Sequence, residues 1–336
     1  MVPTKRPRVA LIGTGGTISS VGRHSLDLVE YADHGRILEA EELLARAPEI
    51  TTEVEAVPVR FRALPSSAIT PADWLELNEL IHRLFAEDEG LVGAVITHGT
   101  ATLEETAYFL HLTLKVRKPV VLVGAQRPSN SLSTDASLNL LNAIRTARSP
   151  QAVGLGVLVL LNDEIQSARE VTKTSNHRLE AFRTPDLGML GYADADGEVV
   201  IYRRPTRRCL IETEFDTRGF TDLPRVDIAY SYAGSDGTGI DAFIAAGARG
   251  VVVASLPPGR PTPGEERAAA EARRQGVLMV QSSRSGSGRV VPRALLREQG
   301  FVVADNLNPQ KARVLTMLAL TRTQDPAEVE RMFRDY

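Results

Sequence analysis

Short runs of apolar, β-branched residues alternate with amphipathic segments along most of the chain. This alternation predicts a mostly parallel α/β sheet covered by helices on both faces. The strands are predicted at 8–13, 54–61, 92–97, 119–124 and 154–161, and again at 226–232, 250–255, 277–281 and 300–304.

Capping residues mark where several of the intervening helices begin. Thr70 precedes Pro71 and lies three positions before Asp73, a combination typical of a helix N-terminus. Similar starts occur at Thr262-Pro263, Asn308-Pro309 and Asp325-Pro326. The predicted helices are 70–87, 103–117, 132–148, 239–247 and 263–275, and two more that begin at the last two starts. Residues 19–34 show neither the periodicity of a helix nor that of a strand, which predicts a mobile loop.

Segment 196–224 breaks the alternation, because charged residues and turn signals leave few apolar positions there. We therefore predict a catalytic α/β domain at 1–203, a linker at 204–224 and a second α/β domain at 225–336. A chain of 336 residues also fits two domains better than a single core.

Composition and charge exclude several classes of function. The formal net charge is −3 and the chain has a single cysteine, Cys209. We expect no nucleic-acid partner and no anionic membrane surface, and neither an internal disulfide nor a thiolate metal cluster. The first residues run into the first strand without an apolar signal region, which predicts a cytoplasmic protein.

Two glycine-flanked turns follow buried strands and offer threonine hydroxyls. The first is 13–18 (G-T-G-G-T-I) and the second is 97–102 (T-H-G-T-A-T). Ligands of open α/β sheets bind just beyond the carboxyl ends of the strands. The two turns therefore predict a site with a hydroxyl nucleophile and a helper hydroxyl.

Other interpretations of these turns have less support. The first turn lacks the third glycine of a dinucleotide fingerprint and the lysine of a P-loop, which argues against a nucleotide site. A threonine nucleophile needs a base, and the six histidines are scattered. Tyrosine and lysine remain as bases, with Lys173 on a polar stretch. Taken singly, Lys173 is typical of a surface lysine, Thr100 of a turn cap and His98 of a structural histidine.

In combination, these segments resemble the bacterial-type L-asparaginase/glutaminase family from the first strand to the last helix. The matching motifs are 14–18, 98–100 with 103–109, 120–129, 171–174 and 307–313. The resemblance implies a larger N-terminal domain with a mostly parallel sheet flanked by helices. It also implies a smaller, flavodoxin-like α/β domain at the C-terminus, which completes a neighbouring subunit's site.

The resemblance implies an amidohydrolase that hydrolyses a side-chain amide to the acid and ammonia through an acyl-enzyme on Thr17. It pairs Thr100 with Lys173, because a desolvated lysine can accept a proton through a hydroxyl. It also places Tyr31 beside the nucleophile, at a spacing slightly different from the family's. The substrate-binding positions that it implies are Gly16, Ser66, Ser67, Gly99 and position 101. It implies no metal or organic cofactor, a small-molecule amide as substrate, and a homo-oligomer, expected as a tetramer formed from two dimers.

The departures from the family pattern concern charge. Ala101 stands where the family motif H-G-T-D-T has the aspartate that binds the substrate's α-ammonium. Arg260 and Arg289 lie in segments where the family has an asparagine and a carboxylate for a neighbouring site. Arginine suits a carboxylate, so we expect an altered specificity for an amide that lacks a free α-ammonium. The alternatives are a weak asparaginase with solvent-facing arginines, and a binding or sensor protein on the same scaffold.

Overall fold

The computed structural model describes residues 6–336 and divides the chain into two compact units. The first unit ends at Gly219, and the second is Phe220–Tyr336. Each unit combines a largely parallel sheet with helices. The predicted two-domain α/β fold is therefore confirmed.

An eight-stranded sheet forms the framework of the first unit. The strands of this unit are β1 (Arg8–Gly13), β2 (Ser20–Val21), β3 (Arg36–Ile37), β4 (Glu55–Arg60), β5 (Leu91–Thr97), β6 (Val120–Val123), β7 (Val157–Leu161), β8 (Glu164–Ser167), β9 (Thr172–Lys173), β10 (Phe182–Arg183), β11 (Gly191–Ala193) and β12 (Val199–Ile201). The order across the large sheet is β12-β11-β8-β7-β6-β5-β1-β4. The strands from β4 to β7 in that order are parallel, and the other three form an antiparallel edge.

Six α-helices accompany this sheet within the described residues. They are α1 (Tyr31–His34), α2 (Ala40–Arg46), α3 (Ile50–Glu53), α4 (Pro71–Glu87), α5 (Leu103–Thr113) and α6 (Ala136–Arg148). The predicted cap of α4 is formed, since the Thr70 N–H donates to the Asp73 carboxylate over 2.9 Å. Single 3-10 turns occur at Thr17–Ser19, Ser66–Ala68, Pro150–Ala152 and Leu210–Glu212.

The core explains why the central strands are uniformly apolar. Residues 9–12 of β1 have no solvent exposure, because helices cover both faces of the sheet. On one face, Leu140 and Ile144 of α6 pack among the strand valines. Trp74 of α4 stacks on Phe109 of α5, with ring centroids 5.4 Å apart. The sheet is thus a rigid base for the turns at its carboxyl edge.

The structure differs from the predicted elements mainly at their borders. β7 begins at Val157 instead of 154, because Gly154 and Gly156 have φ of 78° and 81°, which interrupts a strand. Residues 19–34, predicted as an irregular loop, contain β2 and the short helix α1. Residues 199–201, predicted as a surface excursion, form the edge strand β12.

Part of the predicted linker belongs to the first unit. Lys115, just after α5, donates from Nζ to the carbonyl oxygens of Leu210 and Thr213, over 2.9 Å each. It also donates to the Thr213 hydroxyl over 2.6 Å. These contacts attach the segment to the end of α5. The first compact unit accordingly extends to Gly219 instead of ending at residue 203.

A four-stranded parallel sheet forms the centre of the second unit. Its strands are β13 (Val226–Tyr230), β14 (Gly250–Ser255), β15 (Leu278–Ser283) and β16 (Phe301–Val303), and its helices are α7 (Thr238–Ala245), α8 (Pro263–Arg274), α9 (Ala294–Glu298), α10 (Pro309–Leu320) and α11 (Pro326–Asp335). The strands lie in chain order. The sheet therefore lacks the order reversal of a flavodoxin sheet, although its class is the predicted α/β one.

Two kinds of feature are absent from the described residues. No α-helix among them is both long and apolar enough to cross a bilayer. Over residues 6–336, no group of three or more His, Cys, Asp or Glu side chains is arranged to hold a metal ion.

Candidate active site

The first threonine turn is fixed at the carboxyl end of β1. Gly13 pairs with Thr97 at the end of β5, and the Thr14 hydroxyl donates to the Thr97 carbonyl over 2.7 Å. Gly15 and Gly16 follow with φ of 93° and 85°, which favours glycine. Thr17 then begins a 3-10 turn and is half-buried.

The second threonine turn lies directly against the first. A Cβ added to Gly16 would lie 2.3 Å from the Cα of Gly99, so no side chain fits between the two backbones. A Cβ on Gly99 would lie 2.6 Å from the Oγ of Ser66. The three segments that hold Gly16, Gly99 and Ser66 therefore meet at one place.

Ser66 joins its own turn to the second threonine turn. Its buried hydroxyl accepts a hydrogen bond from the Ala101 N–H over 3.3 Å. Its carbonyl accepts one from the Thr102 hydroxyl over 2.8 Å. Ser67 and Ala101 are exposed next to these contacts. Of the predicted substrate-binding positions in the first unit, Gly16, Gly99 and Ala101 thus lie in the two turns, and Ser66 contacts the second turn.

Thr17 and Tyr31 form the first hydroxyl pair of the site. Their oxygens lie 2.8 Å apart, and either hydroxyl can donate. Tyr31 is the first residue of α1, which follows the segment after β2. The structure therefore brings together a nucleophile candidate and a base candidate that are separated along the chain.

Thr100 and Lys173 form the second pair. Lys173 Nζ donates to the Thr100 hydroxyl over 2.7 Å. Burial lowers the pKa of Lys173 from its usual value, because a desolvated ammonium is disfavoured. Thr100 is buried as well, and a Cβ on Gly124 would lie 2.8 Å from its methyl group. Gly124 at the end of β6 therefore allows the hydroxyl to reach the lysine.

Two carboxylates that sequence reasoning did not select support this site. Glu104 is buried in α5 and accepts from the Thr172 hydroxyl over 3.0 Å and from the Lys173 N–H over 3.2 Å. It thereby fixes the short strand β9. The signal in the sequence was the acidic pair that follows the second turn, at Glu104 and Glu105.

Asp135 fixes the neighbouring turn after β6. Its carboxylate accepts from the backbone N–H groups of Gln126 and Arg127, over 2.9 and 3.0 Å, and from the Asn139 amide over 3.0 Å. Asn139 also donates to the Gly124 carbonyl over 3.0 Å. This network holds Gly124 against Thr100, and only the folded chain shows that Asp135 takes part.

His98 belongs to the second threonine turn but is poorly suited to accept a proton. The imidazole is fully buried, and desolvation lowers its pKa to about 4. Its Nδ1 lies 2.7 Å from the Gly99 carbonyl oxygen, which requires a proton on Nδ1. A neutral ring in this state orients the turn and stays uncharged at neutral pH.

Arg260 and Arg289, the predicted guanidinium ligands, belong to the second unit. Arg289 is exposed and donates from Nε to the Asp305 carboxylate over 2.8 Å. Arg260 is exposed and lies at an isolated bridge to Leu256. Both side chains are on the surface of that unit, in the loops after β14 and β15.

Comparison with protein-family models covers both units. Residues 8–207 match the model described as "Asparaginase, N-terminal", and residues 225–333 match the "Glutaminase/Asparaginase C-terminal domain". The chain belongs to the asparaginase family. As a member of this family it is an amidohydrolase.

Individual relatives of this asparaginase-family chain match along almost its whole length. It is 38% identical to L-asparaginase 2 of Bacillus subtilis over 330 residues, which covers 98% of this chain and 87% of that protein. It is 39% identical to the glutaminase-asparaginase of Pseudomonas fluorescens over 336 residues, which covers 99% and 91%.

A solved structure shows the same fold. The crystal structure of a probable cytoplasmic L-asparaginase from Campylobacter jejuni superposes with a TM-score of 0.91. It is 40% identical, and the match covers 98% of this chain and all of that chain. The resemblance inferred from the motifs is therefore confirmed.

Proposed function

We propose that this amidohydrolase hydrolyses the side-chain amide of an L-asparagine-like substrate to the acid and ammonia, through an acyl-enzyme on Thr17. The observation that supports this proposal most is the presence of two hydrogen-bonded pairs at adjoining turns, one that orients the nucleophile and one that can accept its proton. Thr17 contacts Tyr31 over 2.8 Å, and Thr100 contacts Lys173 over 2.7 Å. A hydroxyl nucleophile needs partners that orient it and accept its proton, because a protonated hydroxyl is a weak nucleophile at neutral pH.

In the first half of the proposed reaction, the Thr17 oxygen bonds to the amide carbon and loses its proton. The neutral amine of Lys173 accepts this proton through the Thr100 hydroxyl, while Tyr31 keeps the Thr17 hydroxyl oriented. The C–N bond then breaks as the leaving nitrogen takes the proton back from the Lys173 ammonium, through the Thr100 hydroxyl, and departs as ammonia. An acyl ester on Thr17 remains.

In the second half, water replaces the amine. It attacks the ester carbon and gives a proton to Lys173 through the Thr100 hydroxyl. The ester C–O bond then breaks to release the acid, and the Thr17 oxygen takes that proton back from Lys173 to restore its hydroxyl. Backbone N–H groups of the two threonine turns would stabilise the negative charge on the carbonyl oxygen. The hydrogen bond from His98 to the Gly99 carbonyl supports this role, since it fixes the peptide plane that carries the Thr100 N–H.

The substrate specificity that we propose depends on Ala101. This residue lies beside Thr100 and Ser66 and has no carboxylate to pair with an α-ammonium. A buried ammonium without a counter-charge costs several kcal/mol. The preferred substrate is therefore an amide without a free α-ammonium.

We also propose a homo-oligomer, a tetramer formed from two dimers, in which Arg260 and Arg289 reach the site of a neighbouring subunit. Their exposure leaves both guanidiniums accessible to a second chain. Light scattering of the purified protein tests the mass of the assembly.

We also propose a cytoplasmic location, because the similar Campylobacter protein is described as a probable cytoplasmic L-asparaginase. Cell fractionation tests this location.

Ammonia release from a panel of amides, without added nucleotide, tests the proposed function. The panel contains L-asparagine, L-glutamine and succinamate, which matches L-asparagine in length but lacks the amino group. We expect turnover of at least one amide, with acyl-enzyme trapped by rapid acid quenching. No turnover of any amide by folded protein would favour the binding-protein alternative, which the comparisons do not favour.

A further inference from the structure

The segment that leads to Tyr31 is not folded by burial of apolar side chains. Leu26, Leu28 and Val29 are 67%, 42% and 76% exposed. Helix α1, which begins at Tyr31, has no buried residue at all. Something other than a hydrophobic core must therefore place the phenol 2.8 Å from the Thr17 hydroxyl.

Asp27 is the exception in this exposed segment. This residue is only 7% exposed, and its carboxylate joins the two ends of the loop. Oδ2 accepts from the Arg23 N–H over 3.1 Å, and Oδ1 accepts from the Glu30 N–H over 3.0 Å. The second of these donors belongs to the residue directly before Tyr31.

The start of the loop is anchored to the rest of the unit at Gly22. The Gly22 N–H donates to Asn130 Oδ1 over 2.8 Å, and Asn130 Nδ2 donates to the Gly22 carbonyl over 2.8 Å. The Asp27 side chain packs on the same glycine, since a Cβ added there would lie 3.0 Å from the Asp27 Cβ. A continuous set of contacts thus runs from Asn130 through Gly22 and Asp27 to Glu30.

The charge of Asp27 strengthens these bonds. The hydrogen bond from the Arg23 N–H is the largest cause that lowers the pKa of this carboxyl below its usual value. Asp27 is therefore ionised at neutral pH, and hydrogen bonds to an ionised acceptor are about twice as strong as neutral ones.

We propose that Asp27 is a positioning residue that holds Tyr31 opposite Thr17. This inference rests on the proposed function, in which Tyr31 orients the nucleophile. Asp27 acts through the backbone of residues 23–30 and does not touch the reacting atoms. While the apolar side chains of the loop are exposed, the Asp27 carboxylate is buried and joins the backbone of Arg23 to that of Glu30.

A double-mutant cycle with hydrogen exchange tests this role. Asp27→Ala and Asp27→Asn are made in the wild-type and in the Tyr31→Phe background, and kcat and KM are measured with L-asparagine and with succinamate. Glu30→Gln is the matched control, because it removes the exposed carboxylate that lies 3.9 Å from the Arg23 guanidinium across the same loop and keeps the Glu30 N–H that Asp27 accepts from. Hydrogen–deuterium exchange of residues 22–31 is measured for each protein. Asp27→Asn keeps the shape of the side chain and serves if the alanine variant folds poorly.

We expect Asp27→Ala to lower kcat by tenfold or more when Tyr31 is present, and by less than twofold in the Tyr31→Phe background. Exchange of residues 22–31 rises in the Asp27 variants and stays at the wild-type level in Glu30→Gln. Equal losses in both backgrounds, or exchange unchanged from wild type, would overturn the role of Asp27.

The two proposals fail in different ways. If Tyr31→Phe itself has the wild-type rate, the part given to Tyr31 in the proposed function is wrong. Exchange then still decides whether Asp27 holds the loop, because that measurement does not depend on turnover. A rise in the Asp27 variants supports the inference, and no rise overturns it.

Discussion

Lys173 donates a hydrogen bond from its Nζ to the hydroxyl of Thr100 over 2.7 Å. The amine is half-buried, and burial lowers its pKa. Glu104 holds the backbone of Lys173 through its N–H, and Gly124 leaves room for Thr100. This lysine is therefore held in one orientation, and its pKa is lowered toward neutral pH, which is the direction that a general base requires.

The first prediction concerns the nucleophile. Thr17→Ala should abolish the acyl-enzyme and lower the rate by orders of magnitude with the fold intact, because no other group replaces the attacking oxygen. Quenched-flow trapping of the acyl-enzyme and ammonia release are the measurements. Thr17→Ser keeps a hydroxyl and should retain measurable turnover. Full turnover by Thr17→Ala with the best substrate would end the assignment.

The second prediction concerns the base. Lys173→Met should lower kcat by orders of magnitude, since the Thr100 hydroxyl then has no amine to pass a proton to. Lys118→Met is the matched control, because that ammonium lies 5.1 Å from the centre of the Phe85 ring, outside the site. The control should keep the wild-type rate. Equal activity of the two variants would remove Lys173 from the mechanism.

The third prediction is the pH dependence that follows from Lys173. A base works only when deprotonated, so kcat/KM should fall as the pH drops below the pKa of Lys173 in the folded protein. Because burial lowers this pKa from 10.5, the fall occurs at lower pH than for an exposed lysine. Lys173→Arg, which stays protonated, should be nearly inactive across the range. A wild-type profile that is flat down to acid pH would contradict the assignment.

The fourth prediction concerns specificity. Ala101→Asp should raise activity on L-asparagine relative to succinamate, because the new carboxylate can pair with the α-ammonium. One ion pair in a closed site contributes about 1.5–3 kcal/mol, or roughly tenfold to a hundredfold in the ratio of kcat/KM values. The unmodified protein should prefer succinamate. Efficient hydrolysis of L-asparagine with a low KM by the unmodified protein would show a plain asparaginase.

Arg260 and Arg289 of the second unit allow a separate test of the predicted specificity. If they reach a neighbouring site, Arg260→Ala or Arg289→Ala should weaken the preference for the substrate without an ammonium. Arg289 also pairs with Asp305, so Asp305→Asn tests whether a loss comes from the broken ion pair alone. Preferences unchanged in both arginine variants would place the guanidiniums outside the site.

The fifth prediction is the dependence of stability on pH due to His98. Its pKa is about 4 in the folded state and 6.5 in the unfolded state, so the unfolded state binds the extra proton between these values. The free energy of unfolding should therefore fall as the pH drops from 6.5 to 4, by about 3 kcal/mol for this group. Urea unfolding of wild type and His98→Gln at several pH values measures the difference in slope. Identical slopes would contradict it.

The sequence by itself determined the features that depend on neighbouring residues. β1 occupies the predicted residues 8–13, and α4 begins at the predicted cap, because strand pattern and capping are local properties. The glycines before Thr17 and Thr100 marked two turns at the ends of buried strands. Their motifs also identified the family, which the comparisons confirm.

Only the tertiary structure decided which side chains meet. Lys173 and Thr100 are 73 positions apart, and their contact depends on how β9 docks beside the turn after β5. Lys115 attaches the segment 210–213, which composition alone assigned to a linker. Such contacts join residues that local patterns treat separately. The contact between Lys173 and Thr100 forms because the buried sheet brings the carboxyl ends of its strands to one edge, where short polar turns can reach one another.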